Sequence, residues 1–233
     1  KKASDTSQAI QRKNNGVLIF FTKYSLLILL GFLVTFFSII IPDTFFTFST
    51  LRAIISTQAV LVLVALAMLI PMAAGEFDLS APMSLTLSMC IATYLMANTS
   101  LPMGIAILIG IGASLAVSIC NGLLVTRVGI NSFVTTLGMS SLLTGVIYGL
   151  NYGLFIAVPE EDKLINLVSG TLFNFPHAVY YIALIALIVW YVMEQTPFGR
   201  YLYAIGGSKE GARLAGINTR RLTFIAFLIT GLL

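Results

Sequence analysis

The sequence predicts an all-α fold, a polytopic bundle of transmembrane helices, and three observations carry that reading. Of 233 residues, 58% are hydrophobic and 9% are charged, with a mean hydropathy of +0.98. Soluble domains carry about 25% charged residues, so this chain lacks the polar side chains to cover itself in water. Its 13 basic and 9 acidic residues stand between apolar runs, several of which approach the ~20 residues that cross a bilayer as helix. The pI near 9.1 is not a nucleic-acid signal. No basic run is interleaved with aromatics, and the positive residues sit at the ends of apolar segments.

Residues 1–16 read as a polar N-terminal tail and 17–233 as the membrane domain. No small-residue cleavage site follows the first apolar stretch, so the first helix is expected to stay as an anchor. Apolar runs set against charges place six full spans at 24–41, 53–74, 81–97, 103–125, 133–150 and 178–193, and a partial one at 222–233. That last run would rise only about 18 Å as helix against a hydrocarbon core of ~30 Å, so the bundle is expected to be truncated at the C-terminus. In the fourth span Ala106, Gly110, Ser114, Ser118 and Gly122 recur every four residues, as do Ser141, Gly145 and Gly149 in the fifth. Small residues at this spacing let helix backbones approach closely in lipid, so both stripes are expected to be packing seams, a pore-lining face being the alternative. Tyr180, Tyr181, Trp190 and Tyr191 fit interfacial belts. Cys90 and Cys120 fall inside spans and read as small hydrophobes rather than a disulfide.

Cytoplasmic loops are enriched in Lys and Arg, and that rule orients the bundle. An inner N-terminus puts Lys1, Lys2, Arg12, Lys13, Lys23, Arg127, Arg200, Lys209, Arg213, Arg220 and Arg221 on the cytoplasmic side, leaving Arg52 and Lys163 outside. The acidic stretch Glu160-Glu161-Asp162 then falls in an outer loop, and the long loop 194–221 in the cytoplasm. The six full spans contain no Asp, Glu, Lys, Arg or His, so they offer no proton relay.

Enzyme chemistry finds few parts. The single histidine, His177, follows Pro176 at a span end, and no phosphate-cradling Gly-x-x-x-x-Gly-Lys-Ser/Thr run is present. No catalytic residue, cofactor or metal site is expected. The cytoplasmic loop is more informative. After Gly199 and Arg200, the pair Gly206-Gly207 precedes Ser208, a good N-cap, and Gly216 can supply the left-handed residue past a helix end. A helix of about two turns is therefore expected between them, with Glu210 in its first turn, Arg213 near its last and Ala212 on an apolar face. Joined to two membrane spans, such a helix reads as a lever, a solvated connector packed on its own bundle being the alternative.

The pattern Glu210-Gly211-Ala212, three residues, then Gly216 resembles the EAA loop of ABC-importer permeases, with Gly211 where that pattern usually has Ala. More specifically, 199–217 resembles the corresponding loop of the ribose-type sugar permeases, a group within the branched-chain amino acid and sugar permease superfamily. Gly75-Glu76-Phe77-Asp78-Leu79-Ser80 is similar to that family's Gly-Gly-Ile-Asp-Leu-Ser, Glu76 replacing the second Gly. Asn121-Gly122-Leu123-Leu124-Val125 and Phe133-Val134-Thr135-Thr136-Leu137-Gly138 match it in order and spacing.

The resemblance implies a permease subunit of the bacterial inner membrane. It implies a second permease subunit, identical or paralogous, cytoplasmic ATPases that hydrolyse ATP in its stead, and an extracytoplasmic sugar-binding protein. It also implies about ten spans, hence about three more than the sequence contains. On that reading Gly199, Arg200, Gly206, Gly207, Ser208, Glu210, Ala212, Arg213 and Gly216 form the loop that couples to the ATPase. Gln58, Asp78, Ser80 and Asn121 are the candidates for the translocation path, the alternatives being a cytoplasmic turn with Ser80 as its capping residue and, for Gln58 and Asn121, bonds across helices. The rival classes are a sodium-coupled secondary transporter, a membrane scaffold or channel subunit, and a permease for branched-chain amino acids.

Overall fold

The computed structural model describes residues 22–151, 170–172 and 175–233. The N-terminal tail and Glu160, Glu161, Asp162 and Lys163 lie outside the described residues. The chain divides into two compact units, Lys1–Ile54 and Ile55–Leu233. In the first, α1 (Thr22–Ile40) is followed by the single turn α2 (Pro42–Phe45), with Phe37 stacked on Phe45 at 5.9 Å. Thr47 Oγ1 then accepts from the Thr50 backbone N–H and starts α3 (Phe48–Ala73).

The second unit is built around α5 (Met103–Leu123), which continues through one π turn, Leu124–Val128. On one side of α5 lies α4 (Ala81–Asn98), with α6 (Ser132–Asn151) beyond it. A two-residue antiparallel pair, β1 (Thr171–Leu172) and β2 (Phe175–Pro176), leads into α7 (His177–Gln195). Then come α8 (Pro197–Gly207), the short α9 (Lys209–Leu214) and α10 (Thr219–Leu232), which packs on the other side of α5.

The small-residue stripe of α5 is the central seam. Ala106, Gly110, Ser114, Ser118 and Gly122 are all buried. A Cβ at Gly110 would fall 2.6 Å from the Ser88 carbonyl oxygen of α4, and one at Gly122 would fall 2.7 Å from the Phe224 ring of α10. The stripe expected on α6 behaves differently: Ser141, Gly145 and Gly149 are exposed, and a Cβ at either glycine would meet nothing. Packing within the chain uses the other face of α6, where Leu143 joins Leu87 and Val117.

Among the described residues five helices are long and apolar enough to cross a membrane: α1, α3, α5 with its π extension, α6 and α7. The predicted third span, now α4, is not one of them. Ser84, Ser88, Thr86 and Thr93 make it more polar, and its neighbours cover Ser84, Leu87, Cys90 and Ala92. The loop 194–221 also holds more structure than expected, because Pro197 opens α8, whose Leu202 and Ile205 are buried. Cys90 and Cys120 are free thiols.

One bond shows how α3 and α10 meet. Pro71 lies inside α3 and has no N–H to give the Ala67 carbonyl one turn earlier. Thr230 Oγ1 of α10 lies 3.1 Å from that carbonyl and 3.2 Å from its own Ala226 carbonyl, so it can donate to the oxygen that Pro71 leaves unpaired. In lipid a freed backbone group needs such a partner. Thr230→Val should therefore lower stability by about 0.6–1 kcal/mol, the usual worth of such a bond between membrane helices. Thr35→Val removes only a bond to its own helix at Gly31 and should cost less; unfolding of both variants in detergent checks the difference.

Candidate functional site

Two groups of predicted residues meet at the end of the bundle that carries the loop 194–221. The first begins where α3 stops. Gly75 takes φ +76°, its N–H bonds the Met72 carbonyl, and the Glu76 N–H bonds that of Pro71, which closes the helix in a Schellman motif. The backbone then runs without helix to Ser80, buried at Asp78 and Ser80, and needs hydrogen-bond partners there.

Helix α6 supplies them from three hydroxyls one turn apart. Ser132 Oγ accepts from the Phe77 N–H at 3.1 Å, Thr136 Oγ1 from the Leu79 N–H at 3.1 Å, and Ser140 Oγ donates to the Leu79 carbonyl at 2.7 Å. Ser132 and Thr136 are buried. These residues were not among the predicted site. The available signal was their four-residue spacing on one helical face.

The loop then holds a buried polar chain. Asp78 is 2% exposed, and its Oδ1 accepts from the Ser80 N–H at 3.0 Å and the Ser80 hydroxyl at 2.6 Å. Asn121 Nδ2 of α5 donates to the same Ser80 oxygen at 2.7 Å. Ser80 opens α4 without capping it by its side chain, because its hydroxyl is committed to Asp78. Among the described residues Asn121 Oδ1 has no hydrogen-bond partner. Burial pushes the Asp78 carboxyl above the usual carboxylate range, opposed by its bonds to Ser80 and Ala81. Of the four path candidates, three thus meet in one cluster, while Gln58 is exposed on α3 and takes no part in it.

The second group is the loop itself. Gly199 lies so close to the end of α7 that a Cβ would overlap the Met193 carbonyl, and a Cβ at Gly206 would likewise overlap the Ala73 carbonyl of α3. Gly207 ends α8, and Ser208 caps α9, its hydroxyl accepting from the Gly211 N–H at 3.1 Å. At the other end Gly216, φ +83°, bonds the Arg213 carbonyl and Ile217 bonds that of Ala212, a second Schellman motif.

Ala212 is buried in a core with Ile70, Ala74, Met193, Leu202 and Ile205, so α9 is fixed to the ends of α3 and α7. Its opposite face is bare. Leu214 is 81% exposed, and Glu210 and Arg213 approach only to 3.9 Å, both largely in solvent; Arg200 is exposed as well. The two groups are joined by Lys209 Nζ and Glu76 Oε1, 2.8 Å apart. Glu76, the residue that departs from the family pattern, thus has a partner on α9. No three His, Cys, Asp or Glu side chains gather to hold a metal among the described residues.

A family described as "Branched-chain amino acid transport system / permease component" matches residues 50–233. Among curated proteins, the D-allose transport system permease protein AlsC of Escherichia coli is 26% identical over 97% of this chain and 69% of its own length. The fructose import permease protein FrcC of Rhizobium meliloti is 27% identical over 84% and 57%, and the ribose import permease protein RbsC of Escherichia coli 27% over 98% and 71%. The chain therefore spans between 57% and 71% of these relatives. No solved structure matches it.

Two outcomes follow from the polar cluster. Thr136→Val should leave the Leu79 N–H unpaired and cost about 1–3 kcal/mol, whereas Thr136→Ser should retain most of the stability, as read by unfolding in detergent and amide exchange at 77–80. For Asp78, a carboxyl whose pKa rises on folding disfavours the ionised folded form. The cost is present at pH above the folded value and vanishes as the pH falls toward the unfolded one. Asp78→Asn, which keeps the acceptor, should unfold at or above the wild-type temperature at pH 8, with the gap closing as the pH is lowered; Asp78→Ala should unfold below both.

Proposed function

The chain belongs to the branched-chain amino acid transport system permease component family, and on that premise we propose that it is the membrane-spanning permease subunit of an ATP-driven importer for a sugar or sugar-like solute. It works in the bacterial inner membrane with its N-terminus in the cytoplasm. It pairs with a second permease subunit, takes solute from an external binding protein, and leaves ATP hydrolysis to cytoplasmic ATPase subunits. The relatives, named for allose, fructose and ribose, support the sugar class over branched-chain amino acids.

The observation that carries the reading is α9. A helix capped at both ends, buried on one face by Ala212 and bare on the other at Leu214, Arg213 and Glu210, suits attachment to a moving partner. Such a contact needs an apolar anchor with charges at its rim, and Leu214 between Arg213 and the Glu210 side offers both. A displacement of α9 would reach α3 and α7 through the core around Ile205 and Met193, a rigid-body route. Asp78, Ser80 and Asn121 lie where α3, α4 and α5 converge, and rocking of these helices would change their cluster. The domain division follows: residues 17–233 as the membrane permease domain, with the coupling segment at 194–221.

A sodium-coupled carrier would lose uptake when the ion gradient collapses, while the proposed importer should lose it only on ATP depletion. Leu214→Asp should leave unfolding in detergent unchanged, because the side chain touches little, yet abolish copurification of the ATPase. Gly216→Val forces a β-branched residue into the left-handed region and should cut uptake and solute-stimulated ATP hydrolysis at least about tenfold, Gly216→Asn much less, Asn tolerating that conformation. Unchanged transport in Gly216→Val would refute the coupling role.

A further inference from the structure

Where α5 ends and α10 begins, a groove of about 510 Å³ is lined by Arg127, Arg220 and Arg221 together with Thr126, Asn218 and Phe224. None of its lining residues is acidic, and among the described residues none of the three arginines has a carboxylate within 4 Å. Three guanidinium groups gathered without a counter-ion repel one another and raise the local positive potential. A second cavity of about 250 Å³ shares Thr126 and Arg220 with the first and reaches Thr223. Thr223 is 1% exposed, and among the described residues its hydroxyl has no hydrogen-bond partner. Buried hydroxyls are almost always paired, so this one marks a place for a polar group from outside the chain. Lys209, Glu210 and Arg213 of α9 also line this second cavity; Lys209 is held by Glu76, and Glu210 stands 3.9 Å from Arg213.

We propose that this paired groove is a binding site for the phosphate of an anionic phospholipid headgroup. Arg127, Arg220 and Arg221 surround the phosphate and Thr223 offers a buried donor at the inner end. The guanidinium fork matches phosphate oxygens in pairs, which a lysine patch would not do. The position fits a lipid. The groove lies between the end of α5, which is long and apolar enough to cross a membrane, and the start of α10, and Phe224 and Leu123 on its wall offer apolar surface to the first acyl carbons. The proposal goes beyond the transport reading and does not depend on how uptake is driven.

The test uses the full chain, purified in detergent, delipidated and mixed with phosphatidylglycerol or phosphatidylcholine, with retained lipid counted by native mass spectrometry. Wild type should retain phosphatidylglycerol in preference, and each of Arg127→Gln, Arg220→Gln and Arg221→Gln should weaken that retention about fivefold. Thr223→Val should weaken it too, whereas Arg200→Gln, outside the groove, should not. Should a glutamine variant fail to fold, the lysine variant at the same position, which keeps the charge and loses the guanidinium fork, replaces it and should also weaken the retention. Equal retention of both lipids overturns the proposal. So does displacement by millimolar inorganic phosphate in place of lipid preference, which would make the source a free phosphate. A third overturning result is intact lipid preference in variants that no longer bring down a cytoplasmic protein, which would give the groove to an acidic protein partner.

Discussion

The bonds between the α6 hydroxyls and the backbone of residues 77–79 are the constraint on which this end of the bundle depends. Backbone that leaves helical geometry inside a membrane bundle needs partners from protein wherever water does not reach it. Ser132, Thr136 and Ser140 do so from successive turns of one helix face. Once the loop is held there, the Asp78 carboxylate and the Ser80 hydroxyl are fixed against α5, and Asn121 can reach them without leaving its helix.

Much of this could be read from the residues, for identifiable reasons. Spans announce themselves because each apolar run must match the thickness of the bilayer. Ser208 and Gly216 announce a helix between them because capping is local chemistry, settled within four or five residues of chain. The cluster of Asp78, Ser80 and Asn121 was legible only as separate polar residues, since nothing in a single sequence says that positions 80 and 121 touch. The α6 hydroxyls were hidden for another reason. Ser and Thr in membrane helices bond their own helix, as Thr136 also does to the Ser132 carbonyl, so their presence there is ordinary until a loop is seen beside them.

The two small-residue stripes make the same point from the other side. Both have the spacing that permits close helix approach, yet the α5 stripe is buried throughout and the α6 stripe faces outward. Spacing states what a face can tolerate and is silent on whether a neighbour is there. For α5 the neighbours are α4 and α10, each bringing backbone or ring atoms to within a Cβ's reach of its glycines. Likewise α4 can be more polar than a span facing lipid on most sides, because α5 and α6 already stand between its serines and the hydrocarbon.

Magnitudes decide how a force applied at α9 would travel. The link between Lys209 and Glu76 joins the two groups directly, but Lys209 is 59% exposed, and exposed ion pairs are worth about 0–1 kcal/mol. The loop beyond it is held by several bonds to α6 and α5, at about 1–3 kcal/mol for each buried group left unpaired. The ion pair is thus the weakest link in that chain, and it would part before the loop left α6. The core around Ala212, Ile205, Leu202 and Met193 does not yield in this way, since separating packed side chains exposes all of them together. With Gly206 pressed on the Ala73 carbonyl, α8 and the end of α3 have no room to slide past one another. Motion of α9, on the proposed reading, would therefore be passed to the end of α3 and to α7, and the polar cluster would respond to their tilt rather than to a tug on Glu76.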